Sequence, residues 1–144
     1  MVKSDLKRII VDNINEVKNY KVMPRNIVLE GFDCFVLVGV RRAGKSYMLF
    51  SKIQHLLKSG VPESEILYMN FEDERLSDFK TEDFNLMLEC HNELFGRRPK
   101  LFLDEIQNIP YWEKFARRMA DSNYTVFITG SNSKMQKNIT NFAM

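Results

Sequence analysis

The sequence predicts an α/β fold, a mostly parallel sheet covered by helices on both faces. Two observations carry this. Short apolar runs that read as strands alternate with segments of helical period along the chain. The runs are apolar nearly throughout, the pattern of strands buried on both faces rather than on one.

Each element has its own signal. Leu6, Ile9, Ile10, Ile14 and Val17 share one helical face, with Ser4 as the expected N-cap and Pro24 as the limit of that helix. Residues 27–29 form a short apolar stretch before Gly31. Residues 32–38 (FDCFVLV) read as a buried strand. Residues 46–58 are helical by period, through Leu49, Ile53, Leu56 and Leu57, and Gly60 and Pro62 stop the helix. Residues 66–71 (ILYMNF) read as a second strand, closed by the acidic loop Glu72, Asp73, Glu74. Phe84, Met87, Leu88, His91, Leu94 and Phe95 define the next helix, ended by Gly96 and Pro99. Residues 100–103 are a short buried strand. Trp112, Phe115, Ala116, Met119 and Ala120 fit one helical face, with Pro110 in its first turn. Residues 124–128 (YTVFI) are the last strand.

Composition bounds the function. The 144 residues suffice for one domain, and 44% hydrophobic with 28% charged residues is globular rather than disordered composition. A net charge of +2 gives no strong global attraction to nucleic acid or anionic membrane. No run approaches the ~18 apolar residues of a membrane span, and the N-terminus has no apolar signal core. Cys34 and Cys90 lack metal-ligand spacing and read as buried thiols of a soluble cytoplasmic protein. The sequon at residues 138–140 reads as chance. No repeat is evident.

In such sheets ligands sit outside the carboxyl ends of the strands, and three of these ends carry unusual residues. Residues 39–46 read Gly-Val-Arg-Arg-Ala-Gly-Lys-Ser, which fits G-x-x-x-x-G-K-[ST] at every position, between a buried strand and an amphipathic helix. Gly39 is expected to let the chain turn off the strand. Gly44 is expected to let backbone N–H groups approach phosphate oxygens. Lys45 offers charge to the β- and γ-phosphates and Ser46 a hydroxyl to magnesium. The nucleotide contacts are therefore assigned to Gly39, Val40, Arg41, Arg42, Ala43, Gly44, Lys45, Ser46 and Tyr47; Arg41 and Arg42, in the variable part, read as solvated charge, or one of them screens the triphosphate or contacts a partner subunit. The absence of G-x-G-x-x-G disfavours a dinucleotide site.

Residues 101–105 (LFLDE) are an apolar run ending in two carboxylates, which are costly at a buried strand end unless a cation or bound water uses them. Asp104 fits the magnesium side of the site, with Ser46, and Glu105 fits a general base, with Lys45 as the other catalytic group. That pair points to ATP rather than to GTP or small-molecule phosphorylation. After the last strand, Thr129, Gly130, Ser131 and Asn132 can reach between the acidic pair and the γ-phosphate, or simply end the strand. Asn70 reads as a turn residue, and His55 and His91 as structural.

The ordered set GVRRAGKS, ILYMNFEDERL, LFLDEIQNIPYWEKFARRMAD and VFITGSNSKM resembles prokaryotic AAA-type ATPases of the archaeal-ATPase-like group, over residues 25–135. The resemblance implies a three-layer P-loop NTPase core with strand order 5-1-4-3-2, binding of ATP or ADP with Mg2+, and Ser131 or Asn132 as a sensor of the γ-phosphate. It also implies a separate, uncharacterised C-terminal domain. Against that pattern the sequence holds four of the five expected strands and no lid or arginine finger, as if cut short after the sensor. The expected organisation is an N-terminal helical segment at 1–24, the ATPase core at 25–135 and a disordered tail at 136–144.

The expected function is an ATP-binding, Mg-dependent ATPase core with weak hydrolysis. The alternative is a nucleotide-gated interaction or regulatory module, with residues 72–74 and the Arg97, Arg98, Lys100 group as contacts for an unknown protein partner. Nucleic-acid association through the arginine pairs is a weaker third reading. In the order 1-4-3-2 the first strand is an edge. It is expected to be covered by self-association, by the N-terminal helix or by residues 27–29.

Overall fold

The computed structural model describes residues 1–21, 35–39 and 44–131. Four strands, β1 (Phe35–Val38), β2 (Ile66–Asn70), β3 (Lys100–Asp104) and β4 (Val126–Gly130), form one sheet. Every pairing is parallel and the order is β1-β4-β3-β2. That is the order expected for the four strands. The helices are α1 (Lys3–Asn19), α2 (Lys45–Lys58), α3 (Asp83–Phe95) and α4 (Trp112–Asp121).

Alternate strand residues point to opposite faces, so each strand feeds two cores. Leu67, Met69, Leu101, Leu103, Val126 and Ile128 face a core completed by α3 and α4. There Phe84 and Phe115 stack with ring centroids 4.2 Å apart. Ile66, Tyr68, Phe102 and Phe127 face a second core closed by Leu49 and Ile53 of α2. Phe102 and Phe127, on neighbouring strands, stack at 4.8 Å. Each fully buried Leu, Ile or Phe contributes about 1.5–3 kcal/mol, which explains why strands this short persist.

Helix α1 belongs to both cores. Leu6, Ile9 and Ile10 join the α3/α4 side, while Ile14 and Val17 join the α2 side. The helix therefore wraps the β2 edge of the sheet. Asn13, at the crossover, is buried, and its Nδ2 donates to the Tyr68 carbonyl at 2.9 Å. A side chain thus satisfies a backbone group of the edge strand, where an open edge would template foreign strands. Of the three covers expected for the first strand, this helix is not the one: its main partners are β2, α2 and α3. It needed a place where both halves of its apolar stripe could be buried, and the β2 edge offers two faces. Among the described residues β1 pairs with β4 alone.

Two smaller corrections concern element ends. Ser4 lies inside α1 rather than capping it; Val2 occupies the cap position with no side-chain cap bond. The last strand begins at Val126 rather than 124, and the Tyr124 ring packs under Arg98, whose guanidinium carbon lies 3.9 Å from the ring centroid. Gly96 ends α3 in the left-handed conformation at φ 63°, as its position suggested. Residues 27–29, Pro24, Cys34 and the tail at 136–144 lie outside the described residues. Cys90 is buried, with Sγ 3.8 Å from the Lys3 carbonyl oxygen. No described helix is long and apolar enough to cross a membrane.

Candidate functional site

The carboxyl ends of β1, β3 and β4 meet at one place. The Gly39 N–H donates to the Gly130 carbonyl at 3.2 Å, which ties the end of β1 to that of β4, and the Phe71 N–H donates to the Asp104 carbonyl at 2.9 Å, which ties the end of β2 to that of β3. Helix α2 starts immediately beside them. Its cap residue, Gly44, has φ 86°, a conformation that side chains resist. Gly44 has no side chain with which to cap α2. The helix's first-turn N–H groups and the positive end of its dipole therefore face the strand ends, an arrangement that attracts an anion. Gly39 stays out of the left-handed region, and a Cβ there would sit an ordinary 3.9 Å from Lys45 Cδ.

Lys45, Glu105 and Ser131 form one unit. Lys45 Nζ donates to the Gly39 carbonyl at 3.1 Å and to Ser131 Oγ at 3.0 Å, and lies 3.7 Å from Glu105 Oε1. The Ser131 hydroxyl donates to the Glu105 carboxylate at 2.5 Å, and Gln107 Nε2 donates to Glu105 Oε2 at 2.7 Å. Glu105 is only 6% exposed. Its backbone is left-handed, φ 55° and ψ 45°, which costs a non-glycine residue about 1 kcal/mol or more. Two bonds hold it there. The Glu105 N–H donates to Thr129 Oγ1 at 2.9 Å, and Asn108 Nδ2 donates to the Glu105 carbonyl at 3.1 Å.

Asp104 is fully buried and takes three hydroxyl donors. Ser46 and Tyr68 both donate to Oδ2 at 2.6 Å, and Thr129 donates to Oδ1. Among the described residues no cation pairs with it. A buried carboxylate surrounded by hydroxyls alone is a demanding arrangement, and one that a hard cation suits. Burial, and then the charge of Asp104, push the Tyr68 phenol well above its ordinary pKa, so it stays a donor.

Of the residues assigned from the sequence, Gly39, Gly44, Lys45, Ser46, Asp104, Glu105 and Ser131 lie together. Val40, Arg41, Arg42, Ala43 and Asn132 lie outside the described residues. The side chain of Tyr47 turns away, half exposed, to Tyr20 and Phe50. The Arg97, Arg98, Lys100 group is engaged internally. Arg97 and Lys100 lie 3.7 and 3.6 Å from Glu65, and Arg98 donates to the Ser122 carbonyl. In the acidic loop, Asp73 accepts from Arg75 and starts a turn, and the Asn70 carboxamide oxygen accepts from the Glu72 N–H, a turn role. His91 is buried, its Nε2 2.7 Å from the Ser64 carbonyl oxygen.

A family model for the AAA domain matches residues 32–143, most of the chain, including all four strands and the strand-end cluster. The chain belongs to the AAA domain family. AAA domains are nucleotide-binding, ATPase-like modules, so the strand-end cluster lies in a fold of that kind. The curated relatives carry no functional description. An uncharacterized protein of Methanocaldococcus jannaschii is 38% identical over 131 residues, 90% of this chain and 28% of that protein. An uncharacterized protein of Haemophilus influenzae is 32% identical over 102 residues, 69% of this chain and 26% of that protein. A second uncharacterized M. jannaschii protein is 29% identical over 107 residues, 70% of this chain and 22% of that protein. The chain spans about a quarter of the length of these relatives. No solved structure matches it.

Tyr68, Thr129 and Gln107 are the parts of this AAA site that sequence reasoning missed or undervalued. Tyr68 lies within an apolar strand and reads as core. Its register against Phe102 puts Asp104 two residues along the neighbouring strand on the same face, within reach of a long side chain. Gln107 follows the acidic pair at a spacing that carries no motif.

Proposed function

We propose that this AAA domain binds ATP with Mg2+ and hydrolyses it slowly. One observation carries the reading. Lys45, Ser46, Asp104, Glu105 and Ser131, from segments up to 86 positions apart, are joined by hydrogen bonds at the start of α2. In this reading the first-turn N–H groups and Lys45 hold the β- and γ-phosphates, with the dipole favouring the negative charge. Ser46 and Asp104 are the residues that would hold Mg2+, which supplies charge neutralisation on the phosphate oxygens.

Glu105 acts as general base toward a water in line with the γ-phosphate. Before nucleotide arrives its carboxylate is occupied by Ser131 and Gln107. A γ-phosphate competes for Lys45 and Ser131, so the same contact that senses the phosphate frees an oxygen of the base. Among the described residues Lys45 supplies the positive charge at the acidic pair. Arginines placed to stabilise the transition state are worth about 10³–10⁵ in rate, so turnover with Lys45 and the metal but no such arginine would be slow.

The test is differential. Lys45→Ala should remove the thermal shift that Mg-ATP gives the wild type. Glu105→Gln should keep that shift and lose phosphate release. Equal thermal shifts in wild type and Lys45→Ala would overturn the assignment.

A further inference from the structure

We propose that Tyr68 is a positioning residue for Asp104 and thereby sets the magnesium dependence of nucleotide binding. This rests on the reading of Ser46 and Asp104 as the magnesium side of the site. Asp104 Oδ2 receives two hydroxyls, from Ser46 on α2 and from Tyr68 on β2, each at 2.6 Å. A carboxylate offers about four lone-pair positions, two per oxygen. Ser46 and Tyr68 together fill Oδ2, and Thr129 takes one position on Oδ1. The carboxylate is thus clamped from α2, β2 and β4, and one lone pair on Oδ1 stays open.

Tyr68 is the member of this clamp that the nucleotide does not recruit. Ser46 has its own oxygen to offer a metal, and Thr129 also accepts from the Glu105 N–H. The Tyr68 phenol serves Asp104 alone. The residue is 5% exposed, and among the described residues its hydroxyl bonds only to that carboxylate. Its ring is fixed by Phe50, with centroids 5.3 Å apart, and its backbone carbonyl is held by Asn13. The chain of support runs from α1 through the β2 edge strand to the carboxylate. Without the phenol, Asp104 can swing about its last torsion, and the Ser46 hydroxyl loses a fixed acceptor. Groups that orient a metal ligand in this way are typically worth 10–100-fold in metal affinity.

Tyr68→Phe removes the hydroxyl and keeps every ring contact. The measurement is the Mg2+ concentration that half-saturates the enhancement of ATP binding, by calorimetry, with ATP binding in excess chelator measured alongside. We expect the half-saturating Mg2+ concentration to rise about tenfold or more, with metal-free binding unchanged. Phe50→Leu, which loosens the ring that carries the hydroxyl but keeps the hydroxyl, should raise the half-saturating Mg2+ concentration less than Tyr68→Phe does. In an Asp104→Asn background, adding Tyr68→Phe should change nothing further. A Tyr68→Phe protein whose Mg2+ dependence stays within about twofold of wild type, or one matched by Phe50→Leu, overturns the inference. Wild type with no Mg-ATP binding at all instead overturns the functional reading beneath it.

Discussion

Thr129 holds both carboxylate-bearing residues, and removing its hydroxyl should destabilise the whole domain. Its Oγ1 donates to Asp104 Oδ1 and accepts from the Glu105 N–H at 2.9 Å, and the residue is fully buried. Thr129→Val keeps the branched shape and the strand preference, so packing is spared. What it leaves is a buried carboxylate lone pair and a buried backbone N–H, each without its partner. An orphaned buried group costs about 1–3 kcal/mol, more when charged, so the pair costs about 2–5 kcal/mol. At roughly 3 °C per kcal/mol for a domain of this size, the midpoint should fall by about 6–15 °C. Thr129→Ser keeps the hydroxyl and deletes a methyl, a loss of about 1 kcal/mol. Urea denaturation of the three proteins, followed by circular dichroism, measures both changes. Val should cost more than Ser although Val is closer to Thr in shape. If Ser is the more damaging substitution, or both lie within about 0.5 kcal/mol of wild type, the hydroxyl does not hold the site.

Two further predictions rest on other parts of the fold. Burial lowers the His91 pKa from its ordinary 6.5, against a smaller opposing effect of the Ser64 carbonyl, so the unfolded chain takes up a proton more readily than the folded one. Stability contributed by neutral His91 is therefore complete above about pH 6.5 and lost as pH falls below it, and His91→Phe should flatten that part of a stability profile measured between pH 5 and 8; an unchanged slope would refute it. Asn13→Ala should cost about 1–3 kcal/mol by chemical denaturation, because the Tyr68 carbonyl of the edge strand loses its donor.

Much of the fold was legible because its signals are local. The apolar run at residues 35–38, the glycine at Gly44 and the helical period after it belong to neighbouring positions, and strand–helix alternation then constrains the sheet. The acidic pair was legible for the same reason, since Asp104 and Glu105 are expensive at a buried strand end. What was not legible depends on register. Tyr68 looks like any aromatic of an apolar strand until β2 is set beside β3. Thr129 looks like the end of a strand until β4 is set between β1 and β3. Helix α1 showed its apolar stripe, but which surface it covers depends on where the sheet offers two faces at once, and that is the β2 edge. Ser4 was misread as a cap because a cap is a statement about one residue's φ and ψ, and helix ends are the least determined part of a periodic pattern.

The central claim is that residues 39–46, with Asp104 and Glu105, form a magnesium-dependent ATP site. Isothermal titration of the protein with ATP, in Mg2+ and again in excess chelator, tests it most directly. One ATP should bind per chain, more tightly with Mg2+ than without, and the Lys45→Ala protein should give no heat under either condition. Absence of binding by the wild type at millimolar ATP in Mg2+, or binding that Lys45→Ala retains, would contradict it.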